Sequence, residues 1–230
     1  MNDKFLLKKG IGAKMAEGVF GAVFPNKCLF CDIVLMDADA EVCEGCGKMF
    51  HVEHFGANMK IEEISRVYGA FEYMDGPRGA IFQLKYEGRK MLARQMAGLI
   101  YKRIGKIDGD FLLAPPLHEK RERERGFNQA NVLAMELAIL MGLPAYDGLA
   151  RRRETAPQFE MNVEERKANI TGAFEVKGGF DVRGADILLV DDVLTTGATA
   201  GECAAVLKRA GANSVSLIVF AVAALHSEQK

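Results

Sequence analysis

The sequence predicts an α/β protein: a parallel sheet with helices on both faces, preceded by a small cysteine module. Three observations predict it. From residue 66 onward, short apolar runs alternate with segments of helical periodicity, the pattern of strands joined through helices. One run, 187–190, is continuously apolar, as in a strand buried on both faces, and it leads into two carboxylates and a hydroxyl-rich turn. Finally, two Cys-x-x-Cys pairs lie within residues 28–46.

Residues 1–24 place Leu7, Ile11, Met15, Val19, Phe20 and Val23 at helical spacing, which predicts an amphipathic helix. Its apolar face suits packing on the cysteine module or on a partner subunit; its few basic residues suit a membrane surface less well. The cysteine module follows over 25–56, and the remaining 57–230 form the α/β domain. There the expected order is a strand at 66–73, helical patterns over 78–104 and a strand at 111–114. A helix follows at 128–141, stopped by Gly142 and Pro144, then a short strand near 146–150. Residues 151–171 are polar and charged with little apolar periodicity, which predicts a lid or binding loop. Strands at 173–176 and 187–190, a helix from about 199 to 209 and a strand at 215–222 complete the alternation.

Composition narrows the function. With 230 residues and 49% apolar content, the chain can bury one substantial core plus an appendage, which excludes a disordered protein. The formal charge of −1 supplies no global field for nucleic acid. Contact with DNA therefore falls to local patches such as Arg121–Arg125 or Lys8, Lys9 and Lys14. No run has the length of a transmembrane helix, and the amino terminus lacks the pattern of a secretory signal. The expected location is cytoplasmic, peripheral to the inner membrane at most.

Cys28-Leu-Phe-Cys31 and Cys43-Glu-Gly-Cys46 are two knuckles with eleven residues between them. That spacing lets four thiolates converge on a tetrahedral zinc, and a closed four-sulfur shell leaves no place for a water nucleophile, so the zinc is expected to be structural. Redox Cys-x-x-Cys motifs rarely come as a matched pair. Cys203, alone on the last helix among small apolar residues, reads as a buried hydrophobe.

The segment Ile187-Leu-Leu-Val-Asp-Asp-Val-Leu-Thr-Thr-Gly-Ala-Thr199 predicts a phosphosugar cradle. Asp191 and Asp192 stand where a sheet edge binds ligands. The turn of Thr195, Thr196, Gly197, Ala198 and Thr199 opens a helix whose amides and dipole favour a phosphate. Neither the Walker pattern nor the dinucleotide fingerprint is present. A helix cap would account for one acid or threonine; two of each with a glycine exceed that need. A ribose 5-phosphate fits, its hydroxyls donating to the aspartates.

This segment resembles the ribose-phosphate signature of type I phosphoribosyltransferases, whose donor is phosphoribosyl pyrophosphate. With Arg121-Glu-Arg-Glu-Arg-Gly-Phe-Asn-Gln129, Arg151-Arg-Arg-Glu-Thr-Ala-Pro-Gln158 and Arg166-Lys-Ala-Asn169, the chain over nearly its whole length resembles the ComF family, linked to DNA uptake in natural transformation. The resemblance implies a type I phosphoribosyltransferase fold with a zinc-ribbon-like amino-terminal module. It gives pyrophosphate binding to Arg121 and Arg125, although an Arg/Glu run read alone is more often a solvated helix face. It makes Arg151, Thr155, Gln158, Arg166 and Asn169 a lid. It implies Mg²⁺ with the donor, the zinc of Cys28, Cys31, Cys43 and Cys46, and phosphoribosyl transfer to an acceptor the residues leave unspecified, with release of pyrophosphate. The alternative is a sensor of phosphoribosyl pyrophosphate or a nucleotide that does not turn over and that holds single-stranded DNA, a partner within the DNA-uptake machinery, through the zinc module.

Overall fold

The computed structural model describes residues 26–37, 40–50, 59–152 and 170–223. The predicted helix over 1–24 lies outside these residues, as does the lid segment over 153–169.

The order of elements is helix α1 (Glu44–Met49), β1 (Arg66–Glu72), α2 (Asp75–Tyr86), α3 (Leu92–Ile104), β2 (Phe111–Leu113), α4 (Glu119–Arg125), α5 (Gln129–Met141), β3 (Ala145–Tyr146), β4 (Leu149–Arg151), β5 (Phe174–Val176), β6 (Asp186–Leu194), α6 (Ala198–Arg209) and β7 (Ser214–Val222). Five strands form one sheet in the order β1-β7-β6-β2-β3, all parallel. β4 and β5 form a separate antiparallel pair. Helices cover both faces, and alternation along the strands sorts the core accordingly. Leu112, Leu188, Val190, Ile218 and Phe220 pack with α2, α3 and α5. Leu113, Ile187, Leu189, Leu217 and Val219 pack with α6 and the β4–β5 pair.

Several details differ from the sequence reading. The helical stretch over 78–104 is two helices, separated by a turn through Gly88 and Arg89. The strand expected near 146–150 is two, each in a different sheet, because the chain turns at Asp147 and Gly148. The arginine run after β2 forms a short helix of its own. His118 Nδ1 accepts the Lys120 amide at 3.3 Å, Glu119 pairs with Arg123 one turn on, and Gly126 ends α4 in the left-handed conformation. β6 continues to Leu194, since its pairing with β7 persists through Val193↔Ala221 and Leu194↔Val222.

The topology also fixes where a ligand fits. From β2 the chain continues through α5 on one face, and from β6 through α6 on the other. β2 and β6 are adjacent, so their carboxyl ends diverge and leave a crevice at the point where strand order switches.

The cysteine segment packs onto the first face. Phe30 meets Phe50 and Phe71 edge-on, with centroids 5.1 and 5.2 Å apart. Arg103 of α3 donates to Phe50 O at 2.6 Å and to Ala70 O at 3.2 Å, tying the segment to β1.

Candidate functional site

A cavity of about 350 Å³ occupies the crevice beyond β2 and β6. Its lining brings together Asp191, Asp192, the turn Thr195–Thr199, Arg121, Arg125 and Arg151, residues separated by as many as 78 positions. Pro115, Pro116 and Leu117 close it from the β2 side. Thr155, Gln158, Arg166 and Asn169 lie outside the described residues.

The two aspartates are neighbours in sequence and opposites in space. Strand alternation puts Asp192 on the face of Leu188 and Val190, and Asp191 on the face of Ile187 and Leu189. Asp192 is buried, 2% exposed, and accepts an ion-paired hydrogen bond from Lys85 Nζ at 2.8 Å. Its Oδ2 is buried with no hydrogen-bond partner among the described residues. Burial works to lower the pKa of Lys85, but the Asp192 carboxylate outweighs it and holds the ammonium above its ordinary value. Asp191 accepts the Asp192 amide at 2.8 Å. Burial, reinforced by the charge of Asp192, pushes its carboxyl up to about 7. Because Asp191 is partly open to the cavity, solvent screens some of that push.

The turn is arranged for an anion. Gly197 adopts φ +78°, and a side chain there would also strike Ile61 at 2.9 Å. Gly197 holds the cap position of α6 and brings no side chain to its first amides; Ala198 N reaches only Thr196 Oγ1, at 3.4 Å. The aspartates therefore do not serve as the cap, and the first turn of α6 faces the cavity with donors to offer.

Arg121 and Arg125 emerge from the inner side of α4, one turn apart, while Glu119 and Arg123 pair on its solvated side. One side of the helix is thus the solvated face that an Arg/Glu run suggests, and the other lines the cavity. Gln129 Oε1 accepts from Arg125 at 2.9 Å, and the guanidinium lies 5.1 Å from the Tyr86 ring centre. Asn128 joins the loops on either side by donating to Pro115 O at 2.9 Å and capping α5. Arg151 packs its guanidinium 5.5 Å from the Phe174 ring centre.

Lys85 is the site residue that sequence reasoning missed. The signal available was its place one residue after Leu84 and one turn after Ile81, both buried, which puts a charge at the border of the buried face of α2.

The four cysteines form a second candidate site. Their sulfurs all lie within 4.8 Å of one another, and those of Cys31 and Cys43 are 3.7 Å apart. A zinc bound to four sulfurs at about 2.3 Å has tetrahedral edges of about 3.8 Å, so the cluster fits such an ion. The Cys43 amide points to Cys28 Sγ at 3.3 Å and the Cys46 amide to Cys43 Sγ at 3.4 Å, the contacts that favour thiolate. The Cys46 amide leads in drawing the Cys43 thiol down to about 7. Cys203 is fully buried on α6, where burial raises its thiol well above the ordinary value.

Comparison with known proteins places this geometry in context. The phosphoribosyl transferase domain model matches residues 124–230, from the end of α4 through the carboxylate strand to the carboxyl terminus. Competence protein F of Haemophilus influenzae is 25% identical over 221 residues, covering 84% of this chain and 96% of that protein. DNA utilization protein YhgH of Salmonella typhi is 34% identical over 146 residues, covering 60% of this chain; the chain spans 63% of that relative's length. Among solved structures, the glutamine phosphoribosylpyrophosphate amidotransferase of B. subtilis matches at 21% identity and a TM-score of 0.38, over 58% of this chain and 26% of its own. Over much of its length the chain is thus similar to the ComF and YhgH proteins; its residues 124–230 match a phosphoribosyl transferase domain on a parallel α/β sheet, and its amino-terminal cluster of four cysteines could bind a metal such as zinc.

Proposed function

We propose that the cavity binds phosphoribosyl pyrophosphate with Mg²⁺ and transfers its phosphoribosyl group with release of pyrophosphate, in the service of DNA uptake. The observation that carries this reading is the convergence of a carboxylate pair, an uncapped hydroxyl-rich turn and two arginines on one cavity at the switch point of a parallel sheet. Asp191 and Asp192 accept the hydroxyls of the sugar, and Thr195, Thr196, Gly197, Ala198 and Thr199 bind its 5-phosphate through amides and hydroxyls. Arg121 and Arg125 meet the pyrophosphate as negative charge gathers on its departing oxygen. Asp191 and Asp192 also supply the oxygen ligands a hard divalent cation takes, and Mg²⁺ bound there would neutralise donor charge. Cleavage of the C1–oxygen bond needs no covalent nucleophile from the protein.

Arg151 lines the same cavity, and together with Thr155, Gln158, Arg166 and Asn169 it would form the lid that covers the donor. Cys28, Cys31, Cys43 and Cys46 would hold a structural zinc that fixes a module of residues 25–56 against a domain of 57–230. The names of the relatives, competence protein F and DNA utilization protein, support the place in DNA uptake. None of the described helices is long and apolar enough to cross a membrane, which accords with a cytoplasmic protein peripheral to the inner membrane at most.

Calorimetric titration with phosphoribosyl pyrophosphate in Mg²⁺, paired with a pyrophosphate-release assay across candidate acceptors, tests the reading. Binding with turnover is the expected result. Binding without turnover for every acceptor would favour the sensor that holds single-stranded DNA through its zinc module, and absence of binding would sink both.

A further inference from the structure

Asp192 is a buried carboxylate with one oxygen held and the other left over. Lys85 Nζ occupies Oδ1 at 2.8 Å, while Oδ2 has no hydrogen-bond partner among the described residues. A buried acceptor without a partner is uncommon and calls for an explanation, because forgoing its hydrogen bond costs more than an ordinary bond contributes. A purely structural ion pair would engage both oxygens, either with a forked donor or with a second group. Here the pair lines the cavity instead, so that the spare oxygen belongs to a ligand site.

Lys85 is not a local neighbour that happened to fall close. It stands 107 positions away, on a different element, with its side chain 17% exposed beside a carboxylate that is 3% exposed. α2 brings it there because Ala80, Ile81 and Leu84 bury against the sheet, which directs the next position toward the end of β6. Burying a carboxylate as deeply as Asp192 is costly unless a charged partner meets it. The Lys85 ammonium supplies that partner, and its compact head, unlike a guanidinium, takes one oxygen and leaves the other.

We propose that Lys85 is a positioning residue of the donor site: by holding Asp192 through Oδ1, it presents Oδ2 as an anionic acceptor dedicated to one hydroxyl of the bound sugar. The inference rests on the sugar-phosphate reading of the cavity and deepens it, since it gives the site a means to discriminate a ribosyl from a deoxyribosyl ligand. Asp191, which has no such cation in contact among the described residues, would have the more adaptable role on the opposite face of the strand.

The test compares phosphoribosyl pyrophosphate with ribose 5-phosphate and its 2-deoxy and 3-deoxy counterparts, titrated calorimetrically into the full chain and into Lys85→Met. The wild-type protein is expected to favour ribose 5-phosphate over at least one of the deoxy ligands by about tenfold or more, the effect of one charge-assisted hydrogen bond. In Lys85→Met that preference should shrink to about twofold or less, because the variant and the missing hydroxyl remove the same interaction. A general loosening of the fold would weaken every ligand alike and leave the preference in place. Should Lys85→Met fail to fold, Lys85→Gln, which keeps a donor but not the charge, carries the same comparison with the same expected direction. A variant that retains the wild-type preference overturns the role of Lys85 while leaving the sugar-phosphate site standing. If the wild-type chain binds none of these ligands, the reading of the cavity fails and the inference falls with it.

Discussion

The cysteine cluster and the carboxylate cavity are both preassembled sites, but they are put together in different ways. The four sulfurs come from a span of 19 residues and converge through two local turns. The cavity draws on residues from Lys85 to Val219 and exists only when β2, β6, β7, α2 and α4 are docked. A site of the first kind can be read from spacing alone, and its integrity would depend on a bound ion. A site of the second kind depends on the sheet. The two regions approach each other beside α2. Phe30 and Phe50 of the cysteine segment pack into the core beside the first turn of α2, the helix that carries Lys85.

Removing the metal site should give the largest effect. Cys28→Ser with Cys46→Ser is expected to reduce bound zinc from one per chain to near zero. It should destabilise the protein by at least ~4 kcal/mol, lowering the melting temperature by on the order of 10 °C, since Leu29 and Phe50 lose their place in the shared core. Elemental analysis and thermal unfolding read both quantities. Protein purified without chelators that holds no zinc, yet keeps residues 26–50 ordered, would dispose of the metal.

The converse substitution attacks the cavity and should spare the cluster. Asp191→Asn with Asp192→Asn is expected to weaken binding of phosphoribosyl pyrophosphate by at least ~2 kcal/mol through loss of charge-assisted hydrogen bonds, with zinc content and circular dichroism unchanged. Unchanged affinity would move the sugar elsewhere in the molecule.

A third change tests whether the regions are as separate as their assembly suggests. A Cβ at Gly76 would stand 2.8 Å from Phe50 Cε2 and 2.9 Å from Phe30 Cβ, at the seam between the cysteine segment and α2. Gly76→Ala should cost about 1–2 kcal/mol of stability by overpacking. If α2 shifts to relieve the clash, donor affinity will fall while zinc stays bound, which would make the seam a route between the two regions. Affinity and zinc both unchanged would mean that the aromatic rings yield instead.

This difference in assembly also explains what was legible in the sequence. The cysteine knuckles and the Asp-Asp-to-threonine turn are contiguous, so the clustering of the one and the place of the other at the end of a buried strand could be read directly. The strand order was not, yet the alternation of elements implied a parallel sheet, because apolar runs at 187–190 and 215–222 need cover on both faces. The extent of β6 was underestimated, since a carboxylate looks like the end of a strand, whereas pairing with β7 carries the backbone onward through Leu194. The break between α2 and α3 was hidden because apolar periodicity resumes on its far side. Lys85 was illegible for a plainer reason: its partner is 107 residues distant, and nothing near it in the chain is acidic except Glu87. A tertiary ion pair leaves no trace in local pattern.

The smallest effect concerns the asymmetry within the aspartate pair. Asp191, whose carboxyl is pushed up to about 7, holds its proton in the folded state over a range where the unfolded chain, near the ordinary value of 3.8, has released it. Between those values the folded state binds more protons than the unfolded one, so this group's contribution to stability is complete below about pH 4 and is lost as pH rises toward 7. Full linkage over that interval would approach ~4 kcal/mol, but the partial exposure of Asp191 and its coupling to Asp192 reduce the expected change to about 1 kcal/mol. Asp191→Asn carries no such proton. Measured without ligand or Mg²⁺, the variant should gain on the wild type by about that amount as pH is raised from 4 to 7, and gain no more beyond it. Asp192→Asn should behave otherwise, because it strands the Lys85 ammonium without its counter-ion and is destabilising at neutral pH. Parallel stability profiles for the two variants would show that the aspartates share one environment, and the contrast drawn from their opposite faces of β6 would fail.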